Sequence, residues 1–133
     1  MNLVIDSNVL FAAAIKESKT AEAIFHRNLD LFSPSFILDE CTKYMIYLER
    51  KTQWPDFPNI MKKLLDKITL IDQSLFVESL QIATEISPDL ADSPFVALAI
   101  HLNIPLWTND KQLINIKEIR IFTTKQVIEY LGI

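Results

Sequence analysis

Leu3-Val4-Ile5-Asp6-Ser7-Asn8-Val9-Leu10 reads as a strand that turns directly into a helix, and the remainder of the chain repeats that alternation. A continuous apolar run of this length fits a strand covered on both faces, as in a parallel sheet. Ser7 or Asn8 can cap a helix running to about Lys16, because a short polar side chain satisfies free N–H groups of the first turn. Asp6 falls between the two elements, at the carboxyl end of the strand.

Outward from there, Thr20 can start a second helix with Ala21, Ile24 and Phe25 on its inner face, and Leu29-Asp30-Leu31-Phe32 reads as a second strand. Ser33-Pro34 reads as a helix start, Ser as cap and Pro in the first turn, for a helix beginning near Ser35 and reaching about Lys51. Its stripe Ile37-Cys41-Met45-Leu48 faces inward, which makes Cys41 a buried small apolar residue. Trp54-Pro55-Asp56-Phe57-Pro58 breaks the pattern, and two prolines there remove backbone donors, so 52–58 is the expected mobile segment. A helix resumes from about Asn59 to Lys67 with Ile60, Met61 and Leu64 inward. Ile68-Thr69-Leu70-Ile71 is the third strand; Asp72 can cap the next helix, where Phe76, Leu80 and Ala83 recur at helical spacing. Ser87 to Ala91 is a loop, and Asp92 opens a nearly all-apolar helix. Pro105-Leu106-Trp107 and Ile119-Arg120-Ile121-Phe122 are the fourth and fifth strands, and Thr123 with Gln126 makes a capping box for a last helix. Strands alternating with helices predict a parallel sheet covered on both faces. The 133 residues are of one-domain size, with no repeat, low-complexity tract or linker.

Composition narrows the function. Half the residues are apolar, which suits a folded protein rather than a disordered one. The net charge of −4 argues against a protein that coats nucleic acid without regard to sequence, yet leaves room for a nuclease whose acidic site lowers the total. Gly132 is the only glycine, so neither a dinucleotide fingerprint nor a phosphate-binding glycine loop can be written. Cys41 is alone, which excludes an intrachain disulfide and favours an intracellular, cytoplasmic location. The start lacks the pattern of a signal peptide, and no apolar run approaches the roughly 20 residues of a membrane span.

Four acids carry the chemistry. Asp6 and Asp110 each follow a strand, Glu40 sits early in the third helix, and Asp92 opens a later helix. In open α/β sheets ligands bind beyond the carboxyl ends of the strands, so these four can converge there. Clustered carboxylates repel one another and commonly hold a cation. An all-oxygen set suits Mg²⁺ or Mn²⁺ rather than Zn²⁺. Such ions support in-line attack of water on a phosphodiester, leaving a 5′-phosphate and a 3′-hydroxyl. Asn8, Asp89, Thr108 and Asn109 are candidate supports: Asn8 orients a carboxylate or a water, and Thr108 and Asn109 position Asp110. Lys111, beside Asp110, is a candidate phosphate contact. Taken singly, Asp6 and Asp92 also read as helix caps, Asp89 as a loop residue, Glu40 as an exposed helix residue and Lys111 as a solvated charge. Their combination is what points to a site. His26, His101, Trp54 and Trp107 read as packing residues, whereas Tyr44 and Tyr47 stay open because they lie near Glu40.

With those blocks in place, the chain resembles the PIN-domain proteins, the nuclease family that includes the VapC-type toxins. The likeness runs through Val4-Ile5-Asp6-Ser7-Asn8-Val9-Leu10, Asp39-Glu40, Asp89-Leu90-Ala91-Asp92-Ser93-Pro94-Phe95-Val96-Ala97-Leu98-Ala99 and Trp107-Thr108-Asn109-Asp110-Lys111, in the family's order. The resemblance implies one PIN-like nuclease domain over 1–133, a three-layer α/β/α sandwich with strand order 3-2-1-4-5. It further implies metal ligation and catalysis by Asp6, Glu40, Asp92 and Asp110, RNA as substrate, and a homodimer. A toxin role with an antitoxin partner is an additional expectation.

Other classes compete. An aspartyl phosphatase needs Asp-x-Asp after the first strand, and position 8 here is Asn. A receiver-type phosphorylation switch needs an acidic pair at the first strand end and an acceptor Asp on a middle strand, of which Ile71-Asp72 is a weak echo. A PIN-like scaffold that binds RNA or protein without cutting is the main non-catalytic alternative.

Overall fold

The computed structural model describes residues 1–15, 18–52 and 56–133. Strand β1 (Asn2–Ile5) runs through the middle of a five-stranded parallel sheet whose order is β3-β2-β1-β4-β5. Its partners are β2 (Asp30–Pro34) on one side and β4 (Leu106–Trp107) on the other, with β3 (Ile68–Ile71) and β5 (Ile121–Phe122) at the edges. Leu3, Val4 and Ile5 are fully buried, as an apolar run in a central parallel strand requires. The expected α/β/α architecture and strand order are therefore present.

Seven α-helices flank the sheet among the described residues: α1 (Ser7–Ile15), α2 (Lys19–Ile24), α3 (Phe36–Lys51), α4 (Phe57–Asp66), α5 (Val77–Ile86), α6 (Ser93–Leu102) and α7 (Thr124–Leu131). Helix α6 pairs with α5 and packs on β1, β2 and β4, while α1 meets α2, α3 and α4, and α2 meets α7. Helix α6 is buried from Ser93 to Ala99, as its nearly all-apolar sequence favours. Burying Phe95 and Leu98 contributes about 1.5–3 kcal/mol each. Thr123 and Gln126 form the expected capping box on α7, with Thr123 N–H donating to Gln126 Oε1 at 2.9 Å.

Several local expectations are corrected. Ser33-Pro34 does not start a helix: Ser33 pairs with Leu70 and Pro34 with Ile71, so both extend β2. Ser33 is buried and donates its hydroxyl to the Ile5 carbonyl at 3.4 Å, and Pro34 is tolerated as the last strand residue. Helix α3 begins at Phe36 with Ser35 at its N-cap, and its Ile37, Cys41 and Leu48 are buried as foreseen. Phe25 lies past the end of α2 and is exposed. Phe57 and Pro58 are not breakers but the first turn of α4; the remaining expectations for Trp54 and Pro55, and for Lys16, fall outside the described residues. Asp72 caps a 3₁₀ turn, Gln73–Leu75, by accepting from Ser74 N–H, and α5 starts only after Phe76. His101 is exposed, although its ring lies 6.2 Å from that of Phe76. Trp107 is fully buried.

Candidate functional site

Asp6 closes β1 and opens α1. Its N–H donates to the Trp107 carbonyl at 3.0 Å, and its own carbonyl accepts from Val9 N–H at 3.1 Å. The side chain is 2% exposed. Carboxylate Oδ2 accepts the Thr108 hydroxyl at 2.7 Å, and Oδ1 accepts Asn8 N–H at a long 3.5 Å. Burial pushes this carboxyl above its ordinary value; the Thr108 bond opposes that rise, and the nearby Asp110 charge adds to it.

Thr108 follows β4 and is fully buried. Its oxygen donates to Asp6 and accepts from Asp110 N–H at 3.1 Å, so one hydroxyl ties two of the acids together. Asp110 is further fixed by accepting Gln112 N–H on Oδ1 at 2.9 Å. Asn109 points elsewhere: its amide nitrogen donates to Thr124 Oγ1 and its Oδ1 accepts Thr124 N–H, both at 2.8 Å. Asn109 thus pins the loop to the start of α7 rather than touching Asp110 directly. Trp107 Nε1 donates to the same Thr124 hydroxyl at 3.0 Å.

Glu40 rises from the second turn of α3. Its Oε1 is buried without a hydrogen-bond partner, a costly arrangement for a carboxylate. Burial pushes Glu40 up to about 7; the Ser7 hydroxyl and Lys43 oppose the rise, and Asp6 and Asp92 reinforce it. Asp92 stands at the N-cap of α6 yet makes no side-chain cap bond, so capping does not explain it. Its carboxyl is pushed up to about 6, first by burial and then by Asp6, Asp110 and Asp89. Asp89 does cap: it accepts from Ala91 N–H at 3.0 Å ahead of the 3₁₀ turn Leu90–Asp92.

A cleft of about 500 Å³ collects these groups. Glu40, Asp89, Asp92 and Asp110 line it together with Ser7 and Asn8, while Asp6 lies behind that surface and acts on it through charge. Lys111 is exposed in the turn after Asp110 and does not line the cleft. Sequence reasoning missed Ser7, which faces Glu40, and Gln112, whose backbone fixes Asp110. Ser7 follows Asp6 directly and Gln112 stands two residues past Asp110, the spacing of an Asx turn, so both were within reach of the sequence.

The donor chemistry fits a hard divalent cation: oxygen only, with one carboxylate oxygen unpartnered and three carboxyls, Asp6, Glu40 and Asp92, destabilised as anions. Among the described residues no three His, Cys, Asp or Glu side chains are closed around one point as a complete ligand set. Mg²⁺ tolerates this, because it keeps several waters and takes few protein ligands.

Comparisons with known proteins accord with this fold. A family model described as "PIN domain" matches residues 4–131. No curated protein matches the chain. Among solved structures, the PAE2754 protein of Pyrobaculum aerophilum is 17% identical with a TM-score of 0.74, over 99% of this chain and 96% of that one. A toxin–antitoxin complex from Klebsiella pneumoniae gives 16% identity and a TM-score of 0.64, over 92% of this chain and 97% of that one. VapBC2 from Rickettsia felis, solved bound to a DNA fragment from its promoter, gives 15% and 0.60, over 92% and 98%. At these identities the likeness is one of fold.

Proposed function

The chain belongs to the PIN-domain family, whose members are generally nucleases, and from that premise we propose that it is a metal-dependent endoribonuclease. The observation that supports this most is the half-buried Glu40 carboxylate, one oxygen of which is unpartnered, in a cleft shared with Asp92 and Asp110 and backed by Asp6. In this reading Asp6, Glu40, Asp92 and Asp110 hold Mg²⁺ or Mn²⁺. When bound, the cation supplies Lewis-acid activation of water and neutralises charge that builds on the scissile phosphodiester. Thr108 opposes the rise in the Asp6 pKa and ties Asp6 to Asp110, Ser7 orients Glu40, and Asn8 lines the entrance. Lys111 is assigned an outer phosphate contact.

Gel assays of structured and single-stranded RNAs with Mg²⁺, Mn²⁺ or EDTA test this, using wild type and Asp6→Asn. We expect cation-dependent cleavage that EDTA abolishes and that Asp6→Asn lowers at least 100-fold, roughly the loss of one key electrostatic group. Equal cleavage by both proteins refutes the assignment. The intact acidic set disfavours the scaffold alternative, and RNA binding without cutting under every cation would select it.

Two relatives in fold are toxin–antitoxin assemblies, and a toxin role with a protein antitoxin, a cytoplasmic homodimer acting on RNA, is the biological form we assign. No described helix is long and apolar enough to cross a membrane. Growth arrest on expression, relieved by Asp6→Asn, is the expected behaviour; unimpaired growth with soluble, folded wild type contradicts the toxin role.

A further inference from the structure

The carboxylates occupy only part of the cleft. Phe11, Tyr44 and Tyr47 line the same space. Glu40, Tyr44 and Tyr47 stand at i, i+4 and i+7 of α3, one face of the helix, so the row extends about 10 Å along the axis from the acid. Tyr44 is 40% and Tyr47 55% exposed, so both rings present surface to solvent beside the acids, on a helix that buries Ile37, Cys41 and Leu48 elsewhere. Phe11 meets Tyr44 edge-on at 6.0 Å and supports it from α1. Each tyrosine carries an ammonium: Lys43 Nζ lies 5.4 Å from the Tyr44 ring centre and Lys51 Nζ 5.6 Å from that of Tyr47.

Flat rings beside cations match a nucleotide, which offers a base face and an anionic phosphate together. A stacking surface accepts any base, and it needs bases that are not already stacked in a duplex. Resting on the ribonuclease reading above, we infer that the Tyr44–Tyr47 face of α3 is a base-stacking subsite. It holds unpaired nucleotides of single-stranded RNA next to the scissile phosphate, with Lys43 and Lys51 meeting their phosphates. The subsite makes the protein select unpaired RNA and sets how far from the acids the bound strand is anchored.

The test is binding, measured by fluorescence anisotropy of a labelled single-stranded ten-nucleotide RNA with Ca²⁺ in place of Mg²⁺ so that turnover does not interfere. Tyr44→Ala and Tyr47→Ala each weaken binding roughly 5- to 150-fold, the range for loss of one base–ring stack. Tyr47→Phe restores it, whereas Tyr47→Leu, which keeps apolar bulk without a flat ring of that size, does not. A duplex of the same sequence binds more weakly than the single strand, and the tyrosine variants leave its affinity unchanged. Thermal melting of each variant stays near wild type, since both rings are largely outside the core. Unchanged single-strand affinity in both alanine variants, or full rescue by leucine, overturns the subsite. If wild type still cleaves RNA in that case, the ribonuclease reading survives without it; if wild type neither binds nor cleaves, both fall together.

Discussion

Replacing Thr108 by Val removes one oxygen and almost nothing else. That hydroxyl gives the buried Asp6 carboxylate its shortest hydrogen bond, 2.7 Å, and takes the Asp110 N–H at 3.1 Å. A hydrogen bond to a charged group is worth about 1.5–3 kcal/mol, and an amide left without its acceptor costs about 1–3 kcal/mol more only where solvent cannot replace it. Asp110 is partly exposed, so we expect a total near 2–3 kcal/mol at pH 8, or a fall in Tm of about 8–12 °C for a chain of this size. The loss depends on pH in a defined direction. Asp6 already has a raised pKa in the folded protein, and losing Thr108 raises it further. A carboxyl with a raised folded pKa binds its proton more tightly in the native state, so it costs stability as pH climbs above the unfolded value. The penalty of Thr108→Val is therefore largest at pH 8 and shrinks toward pH 4, where Asp6 is increasingly protonated. Thr108→Ser keeps the hydroxyl and stays within about 1 kcal/mol. Differential scanning fluorimetry of the three proteins from pH 4 to 8 decides the matter. Equal losses at both ends of that range, or a serine variant as weak as the valine one, refute the idea that this bond sustains an ionised Asp6.

Glu40→Gln acts in the opposite sense. A carboxyl held at about 7 instead of 4.5 corresponds at face value to roughly 3 kcal/mol, which solvent screening of this half-buried group reduces to about 1–2 kcal/mol. Because the folded pKa is raised, wild type loses that stability as pH rises from about 4.5 to 7; urea melts without divalent ions should show Glu40→Gln more stable at pH 8 and equal at pH 4. A lower midpoint for the variant at pH 8 contradicts this. Mg²⁺ should raise the Tm of wild type more at pH 8 than at pH 5.5, where Glu40 and Asp92 hold protons that compete with the cation, and EDTA should reverse the gain; a pH-independent shift points to binding elsewhere. Thr123→Ala removes the capping-box oxygen from α7 and costs about 0.5–2 kcal/mol by chemical denaturation, while Thr123→Ser should cost little.

The elements that the sequence located best are those where one physical demand dominates. Leu3-Val4-Ile5 had to be a covered strand, α6 had to be a buried helix, and Thr123 with Gln126 had to cap, because no other arrangement satisfies those side chains. Ser33-Pro34 misled because cap-and-proline chemistry also fits the last residues of a parallel strand, where Pro lacks only a donor that the strand end does not need. That choice is settled by pairing with β3, which lies more than thirty residues on and leaves no local trace. The acids were legible as a set from their positions at strand ends and helix starts. Their division of labour was not: Asp6 is buried and hydrogen-bonded by Thr108, Asp89 is used by a turn, Asn109 serves α7, and Lys111 stands outside the cleft. Each of those outcomes depends on where a side chain finds its partner, a three-dimensional matter. The Glu40-Tyr44-Tyr47 row, by contrast, was readable from helical spacing alone.

The paired bonds between Asn109 and Thr124 reach beyond local tidiness. They join the segment that presents Asp110 to the first turn of the final helix, so we expect the two to open to solvent together. Amide protons of α7 and of the Asp110 loop should then exchange with matched free energies. Loosening the last helix, by a bulky fusion or a weakened cap, becomes a remote means of dimming the acidic centre without altering any residue in it.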